Sequence, residues 1–192
     1  MEALLVSTGV VALAEIGDKT QLLAFILAAR FKKPVPIIAG ILAATLINHG
    51  LAGALGAWIT AAISPEVLRW VLGASFIAMA AWTLIPDKIE DEEAQIASRL
   101  GVFGATFVTF FLAEMGDKTQ IATIAMAAHY ANPWLVVMGS TLGMMIADVP
   151  AVLVGDKMAP KIPMKLVHAI AAGVFAVLGV ATLLGAGTKL GF

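Results

Sequence analysis

Six long apolar runs, separated by short polar or proline-bearing breaks, dominate the chain. They are Ala3–Ala29, Val35–Ala62, Val67–Ile85, Leu100–Ala128, Trp134–Val154 and Lys165–Leu184. About 20 mainly apolar residues suffice for a helix to cross a bilayer, so each run predicts one transmembrane helix. The breaks are Arg30-Phe31-Lys32-Lys33-Pro34, Ser64-Pro65-Glu66, the stretch from Pro86 to Arg99, Asn132-Pro133, and the stretch from Asp156 to Pro163. Proline and polar clusters of this kind punctuate helices. The first run has only Met1-Glu2 before it and contains Glu15, Asp18 and Lys19. A cleaved signal peptide has a basic leader and an uncharged apolar centre, so this run is expected to remain as a helix.

The pattern repeats. Ala14-Glu15-Ile16-Gly17-Asp18-Lys19-Thr20-Gln21 recurs as Ala113-Glu114-Met115-Gly116-Asp117-Lys118-Thr119-Gln120, identical at seven of eight positions. The same offset of 99 residues pairs Pro34 with Pro133, Gly40 with Gly139 and Gly56 with Gly155. Each half then holds three spans, and an odd number of spans makes the second half enter from the opposite side. The fold class expected is an all-α membrane protein of six transmembrane helices, arranged as two inverted three-helix repeats. Residues 1–86 form the first repeat, 87–99 an acidic cytoplasmic linker and 100–192 the second repeat. Secondary transporters commonly use this plan, with the substrate site at mid-membrane between the repeats.

Basic residues orient the spans, because Lys and Arg concentrate in cytoplasmic loops. One side carries Arg30, Lys32, Lys33, Lys88, Arg99, Lys157, Lys161 and Lys165, and the other carries Arg69 and Lys189. The first side is read as cytoplasmic and both termini as extracytoplasmic. The linker Asp87-Lys88-Ile89-Glu90-Asp91-Glu92-Glu93 reads as a solvated connector.

Composition narrows the function. Of 192 residues, 60% are hydrophobic and 13% charged, and the net charge is −1; soluble domains carry about 25% charged residues. A soluble enzyme and a nucleic-acid binder are excluded, the latter because no basic surplus exists to hold phosphate. The absence of cysteine removes disulfides, thiol catalysis and cysteine-based metal sites. The partners expected are a divalent metal ion and the lipid bilayer, with no nucleic acid and no resident cofactor.

The chemistry concentrates in the repeated motif. Glu15 and Glu114 fall about halfway along the first and fourth runs. A carboxylate at that depth costs about 2.5–3.5 kcal/mol on insertion scales, so something must compensate it. Residues three apart are neighbours on a helix. Glu15, Asp18 and Gln21 therefore predict one stripe of oxygen ligands, and Glu114, Asp117 and Gln120 a second facing it. Thr20 and Thr119 are additional candidate ligands lying further round each helix. Four carboxylates in a low-dielectric site must take up protons or bind a cation, which is the chemistry of cation/proton exchange. Hard oxygen ligands suit Mn²⁺, Ca²⁺ or Mg²⁺. The bland alternative is a pair of helices held by ion pairs, Glu15 with Lys19 and Glu114 with Lys118, but that leaves the aspartates without a purpose.

Gly17 and Gly116 either break the helix or allow close packing, and the sequence leaves both readings open. Lys19 and Lys118, beside a cation site, either pair with the carboxylates of the empty site or bond a neighbouring helix. Asn48, His49 and Asp148 are candidates for a proton path or for supporting the ligands; the repeat pairs His49 with Asp148. His129 and His168 read as surface residues and Asp156 as solvated. Gly139-x-x-x-Gly143, matched by Gly40-x-x-x-Ala44, reads as a small-residue packing face.

The paired Glu-x-Gly-Asp-Lys-Thr motifs, about a hundred residues apart on a six-span chain, resemble the E-x-G-D-[KR]-[TS] membrane cation/proton exchanger family. That family includes Golgi and chloroplast manganese/calcium transporters and bacterial manganese exporters. The resemblance covers nearly the whole chain, and both motifs match in full. It implies export of Mn²⁺, and in some members Ca²⁺, from the cytosol in exchange for protons. It also implies a cation-ligand role for Glu15, Asp18, Glu114 and Asp117. No organellar presequence precedes the first run, so a prokaryotic plasma membrane is the expected location. The rival readings are an intramembrane aspartyl protease using Asp18 and Asp117, and an exporter of an amino acid such as lysine. The first leaves the paired glutamates and lysines unexplained.

Overall fold

A computed structural model describes residues 1–85, 100–154 and 164–185. These residues form α1 (Glu2–Glu15), α2 (Lys19–Phe31), α3 (Pro34–Ala62), α4 (Pro65–Thr83), α5 (Gly101–Glu114), α6 (Lys118–His129), α7 (Pro133–Val154) and α8 (Met164–Leu183), with no strand among them. Proline opens α3, α4 and α7, where its missing N–H lacks a partner in any case and its fixed φ already suits the helix. Among the described residues two helices, α3 and α7, are long and apolar enough to cross a membrane by length and composition. The linker 87–99, Asp156, Lys157, Lys161 and Lys189 lie outside the described residues, as do the side chains of Lys165 and His168.

The first and fourth apolar runs are not continuous helices, as their composition had suggested. Each is interrupted within its motif, so that α1 gives way to α2 and α5 to α6. Apolar composition continues through each interruption, so hydropathy alone does not reveal it. The stripe expected from three-residue spacing is therefore not a helical stripe. Glu15 ends α1 and Asp18 stands at the residue just before α2, and the second motif does the same with Glu114 and Asp117.

The two repeats are interleaved. α1 packs on α7, α3 lies against α5, α6 and α7, and α4 pairs with α8. The small-residue face is used as expected. A Cβ at Gly139 would run into the Leu4 carbonyl, and one at Gly143 would stand 2.6 Å from that of Thr8. Gly40 brings α3 equally close to Phe103 and Thr106 of α5. Such approaches let backbones pack tightly where lipid supplies no hydrophobic drive between helices.

Two apolar clusters result. The first contains Val11 and Ala14 of α1, Phe76 of α4, Ala122 and Met126 of α6, and Phe175 of α8. The second contains Leu23 and Leu27 of α2, Ile37 and Ile41 of α3, and Phe110 and Ala113 of α5. The chain thus leaves the first cluster for the second between α1 and α2, and makes the reverse passage between α5 and α6. Both interruptions fall where the chain changes cluster, and the motif carboxylates sit there.

Candidate metal centre

Each interruption is a tight turn built the same way. Ile16 (φ −64°, ψ 113°) and Met115 (φ −63°, ψ 116°) are extended, and the following Gly17 and Gly116 have φ of +87° and +76°. The turn closes when Asp18 N–H donates to the Glu15 carbonyl (3.0 Å) and Asp117 N–H to that of Glu114 (3.1 Å). These are the marks of a type II turn, whose third residue needs positive φ and so favours glycine. Of the two readings of the glycines, the helix break is the one found. At Gly116 close packing plays no part, since a Cβ there would meet nothing within 4 Å.

The turn leaves backbone groups to be satisfied, and the glutamines serve that need. Gln21 Oε1 accepts from Gly17 N–H and Gln120 Oε1 from Gly116 N–H, each at 2.8 Å. The Gln21 amide also donates to the Ala147 carbonyl of α7 at 3.1 Å. This resembles a capping box, in which the side chain of the third helical residue reaches back to an orphan donor. Both glutamines, read from sequence as ligands, thus have their amide oxygens engaged by the turns.

The threonines orient the glutamates. Thr20 Oγ1 donates to Glu15 Oε2 at 2.6 Å, and Thr119 Oγ1 to Glu114 Oε2 at 3.1 Å. Both glutamates are fully buried. Their Oε1 atoms, and Oδ2 of Asp117, have no hydrogen-bond partner among the described residues. Glu15, Glu114 and Asp117 each offer an oxygen so placed that all three lie within 4.8 Å of one another. A buried trio of convergent carboxylates is strongly unfavourable without a cation or protons between them. Three of the four predicted carboxylates are thereby brought together.

The fourth, Asp18, is held differently. Lys118 Nζ donates to Asp18 Oδ1 at 2.8 Å, with both side chains fully buried. The matching bridge from Lys19 to Asp117 spans 3.6 Å, and the Lys19 side chain is 23% exposed. Each lysine therefore reaches the aspartate of the other repeat. Sequence spacing missed this partnership because Glu15 and Lys19 face each other only on an unbroken helix.

Asn48 donates to the Phe111 carbonyl at 3.1 Å and so ties α3 to the last turn of α5. His49 and Asp148 are fully buried, and neither ring nitrogen nor carboxylate oxygen finds a hydrogen-bond partner among the described residues. Asp148 stands outside the convergent trio. His129, read from sequence as a surface residue, is half-buried, with its ring edge-on to Tyr130 at 5.1 Å. It ends α6 and lines a small cavity together with Val6 and Phe76.

Comparison with known proteins places this sequence in a family. A family profile described as "Divalent cation/proton antiporter GDT1" matches residues 3–91 and 102–190, once for each repeat. A Vibrio cholerae protein named "Putative manganese exporter" is 52% identical over 184 residues, covering 95% of this chain and 90% of its own length. A Synechocystis GDT1-like protein is 32% identical over 183 residues, covering 83% of this chain and 86% of its own. A rice GDT1-like protein is 30% identical over 200 residues, covering 91% and 71%. No solved structure matches the chain. The names are those of transporters, not enzymes, which leaves the protease reading without support. The chain belongs to the GDT1 family of divalent cation/proton antiporters.

Proposed function

We propose that this protein exports Mn²⁺ from the cytosol in exchange for protons, by alternating access around a carboxylate site at mid-membrane. The observation that carries the reading is the convergence of Glu15, Glu114 and Asp117 oxygens within 4.8 Å at two helix breaks. Hard oxygen ligands favour Mn²⁺ and Ca²⁺ over thiolate-loving metals. The 52% identity to a protein named for manganese export favours Mn²⁺; Ca²⁺, which takes the same oxygens, is the second substrate. The ligand set comprises Glu15, Asp18, Glu114 and Asp117, with Gln21, Gln120, Thr20 and Thr119 shaping the turns and aiming the carboxylates. Asp148, Asn48 and His49 line the proton route.

The architecture that goes with this function is six membrane spans in two inverted repeats, residues 1–86 and 100–192, joined by the acidic linker 87–99. Each broken pair, α1–α2 and α5–α6, counts as one span. The opposite order in which the two pairs visit the two apolar clusters favours inversion. A belt of exposed apolar side chains, among them Leu46, Trp58, Val71, Met138, Leu142 and Val177, suits contact with lipid. The protein is assigned to a prokaryotic plasma membrane with both termini extracytoplasmic, on the asymmetry of loop Lys and Arg.

The test is transport in proteoliposomes, with Mn²⁺ or Ca²⁺ supplied in turn and a pH gradient imposed. Expected are metal flux driven by the gradient, with protons moving the other way, and its loss in Asp18→Asn and Asp117→Asn proteins that still insert and fold. Wild-type rates and affinity in both variants would reduce the motifs to structural ion pairs.

A further inference from the structure

The two motifs are nearly identical in sequence and in turn dihedrals, yet their surroundings differ. On one side Lys118 and Asp18 are both fully buried at 2.8 Å. On the other, Lys19 stands off from Asp117 at 3.6 Å and is 23% exposed. Asp117 belongs to the convergent oxygen trio and Asp18 does not. The backbone follows the same division. Met115 is 57% exposed and Gly116 is exposed, whereas Ile16 and Gly17 are partly covered. Irregular backbone at membrane depth is tolerated only where protein covers it or water reaches it. A turn as exposed as Met115-Gly116 is therefore compatible with a water-filled approach, and the less exposed turn at Ile16-Gly17 with the closed side.

Resting on the site proposed above, we infer that the two aspartates alternate as cation ligand, and that each lysine occupies the aspartate off duty. In the state described, Asp117 serves with Glu15 and Glu114 while Lys118 holds Asp18. In the opposite state the repeats exchange roles: Lys19 closes on Asp117 and is buried, Lys118 withdraws, and Asp18 joins the two glutamates. This gives a cationic residue a task beside a cation site. The lysine stands in for the metal at whichever carboxylate the metal has left, so neither aspartate is buried with its charge uncompensated. It also explains why each motif carries both an aspartate and a lysine, since each repeat supplies the ligand in one state and the substitute cation in the other. Two interchangeable bridges of this kind form a two-state element whose balance either bridge can bias.

The chain contains no cysteine, so single cysteines report each turn cleanly. Ile16→Cys and Met115→Cys proteins are reconstituted in lipid vesicles, and their modification by a hydrophilic thiol reagent is timed. Met115→Cys is expected to react faster. Lys118→Gln, by removing one partner of a buried ion pair, should slow Met115→Cys and speed Ile16→Cys, each by about tenfold or more. Lys19→Gln should do the reverse, and Lys→Arg at either position should keep the wild-type pattern. A change of the same sign at both cysteines, or none, in proteins that still melt cooperatively would overturn the exchange of roles. Mn²⁺-dependent melting of the wild-type protein is measured alongside. Its absence would overturn the metal site itself, whereas a clear shift with non-reciprocal labelling would overturn this inference alone.

Discussion

At the residue scale, the proposed chemistry rests on which oxygen of each glutamate is left for a cation. Thr20 takes Oε2 of Glu15 and leaves Oε1. A hydrogen bond to a charged group is worth about 1.5–3 kcal/mol. Thr20→Val should therefore weaken Mn²⁺ affinity by about tenfold or more, since 1.4 kcal/mol is one decade, while Thr20→Ser should restore most of it. Titration of purified protein by Mn²⁺-dependent melting measures both. Glu15→Gln and Glu114→Gln should abolish exchange in proteoliposomes while leaving insertion intact. The carboxylates were legible in the sequence because an ionisable group inside an apolar run is costly and demands a reason. The partners of the lysines were not. Helical spacing favours Glu15 with Lys19, whereas Lys118 finds Asp18 across the repeats.

At the scale of the elements, the six apolar runs were legible and their interruptions were not. Length and hydropathy mark a span, but a turn of four residues within it changes neither. Only the glycine hinted at it, and the same glycine also suits close packing. The positive φ of +87° at Gly17 settles the point and yields a prediction. A left-handed conformation costs an L residue about 1–2 kcal/mol, so Gly17→Ala and Gly116→Ala should each destabilise by that amount despite the open space at Gly116. Gly143→Ala acts by another route. Its new Cβ would press on the Thr8 carbonyl, and overpacking of this kind costs about 1–3 kcal/mol. Thermal melting measures all three. Gly143→Ala should not be rescued by Val11→Ala, because the atoms its new Cβ would meet are the Thr8 carbonyl oxygen at 2.6 Å, the Ala12 amide nitrogen at 2.9 Å and Val11 Cβ at 3.0 Å, none of which that substitution removes.

At the scale of the whole molecule, the proposed function has protons and metal compete for the same buried carboxylates. Ligands must be deprotonated to bind, so metal binding releases protons. Apparent Mn²⁺ affinity should fall as pH drops, and rise again as the carboxylates lose their protons. Isothermal titration across several pH values reads this directly, and an affinity independent of pH would point to a uniporter. Orientation is a separate matter. A cysteine near Lys32 should be shielded from an impermeant thiol reagent in intact cells, and one near the C-terminus should be labelled; the opposite result would reverse the assigned topology. The repeat was visible in sequence from the motif and its matched prolines and glycines. How the halves fit together was not, because the contacts of α1 with α7 and of α3 with α5 join positions too distant for any local pattern to link.

That interleaving has a consequence for biosynthesis. In the proposed topology, when the first three-span half leaves the ribosome Asp18 has entered the membrane but Lys118, its buried counter-ion, has not been made. The second motif lies a hundred residues further on, a delay of about 5–20 s at ordinary elongation rates. During that interval α1 lacks α7 to pack on and α3 lacks α5. The nascent half must wait with unneutralised acid groups, held by the insertion machinery or by borrowed protons. Expressed alone, it should be cleared quickly by membrane proteases. The two halves produced together as separate polypeptides should protect one another, and pulse-chase turnover of the first half with and without the second would measure that dependence.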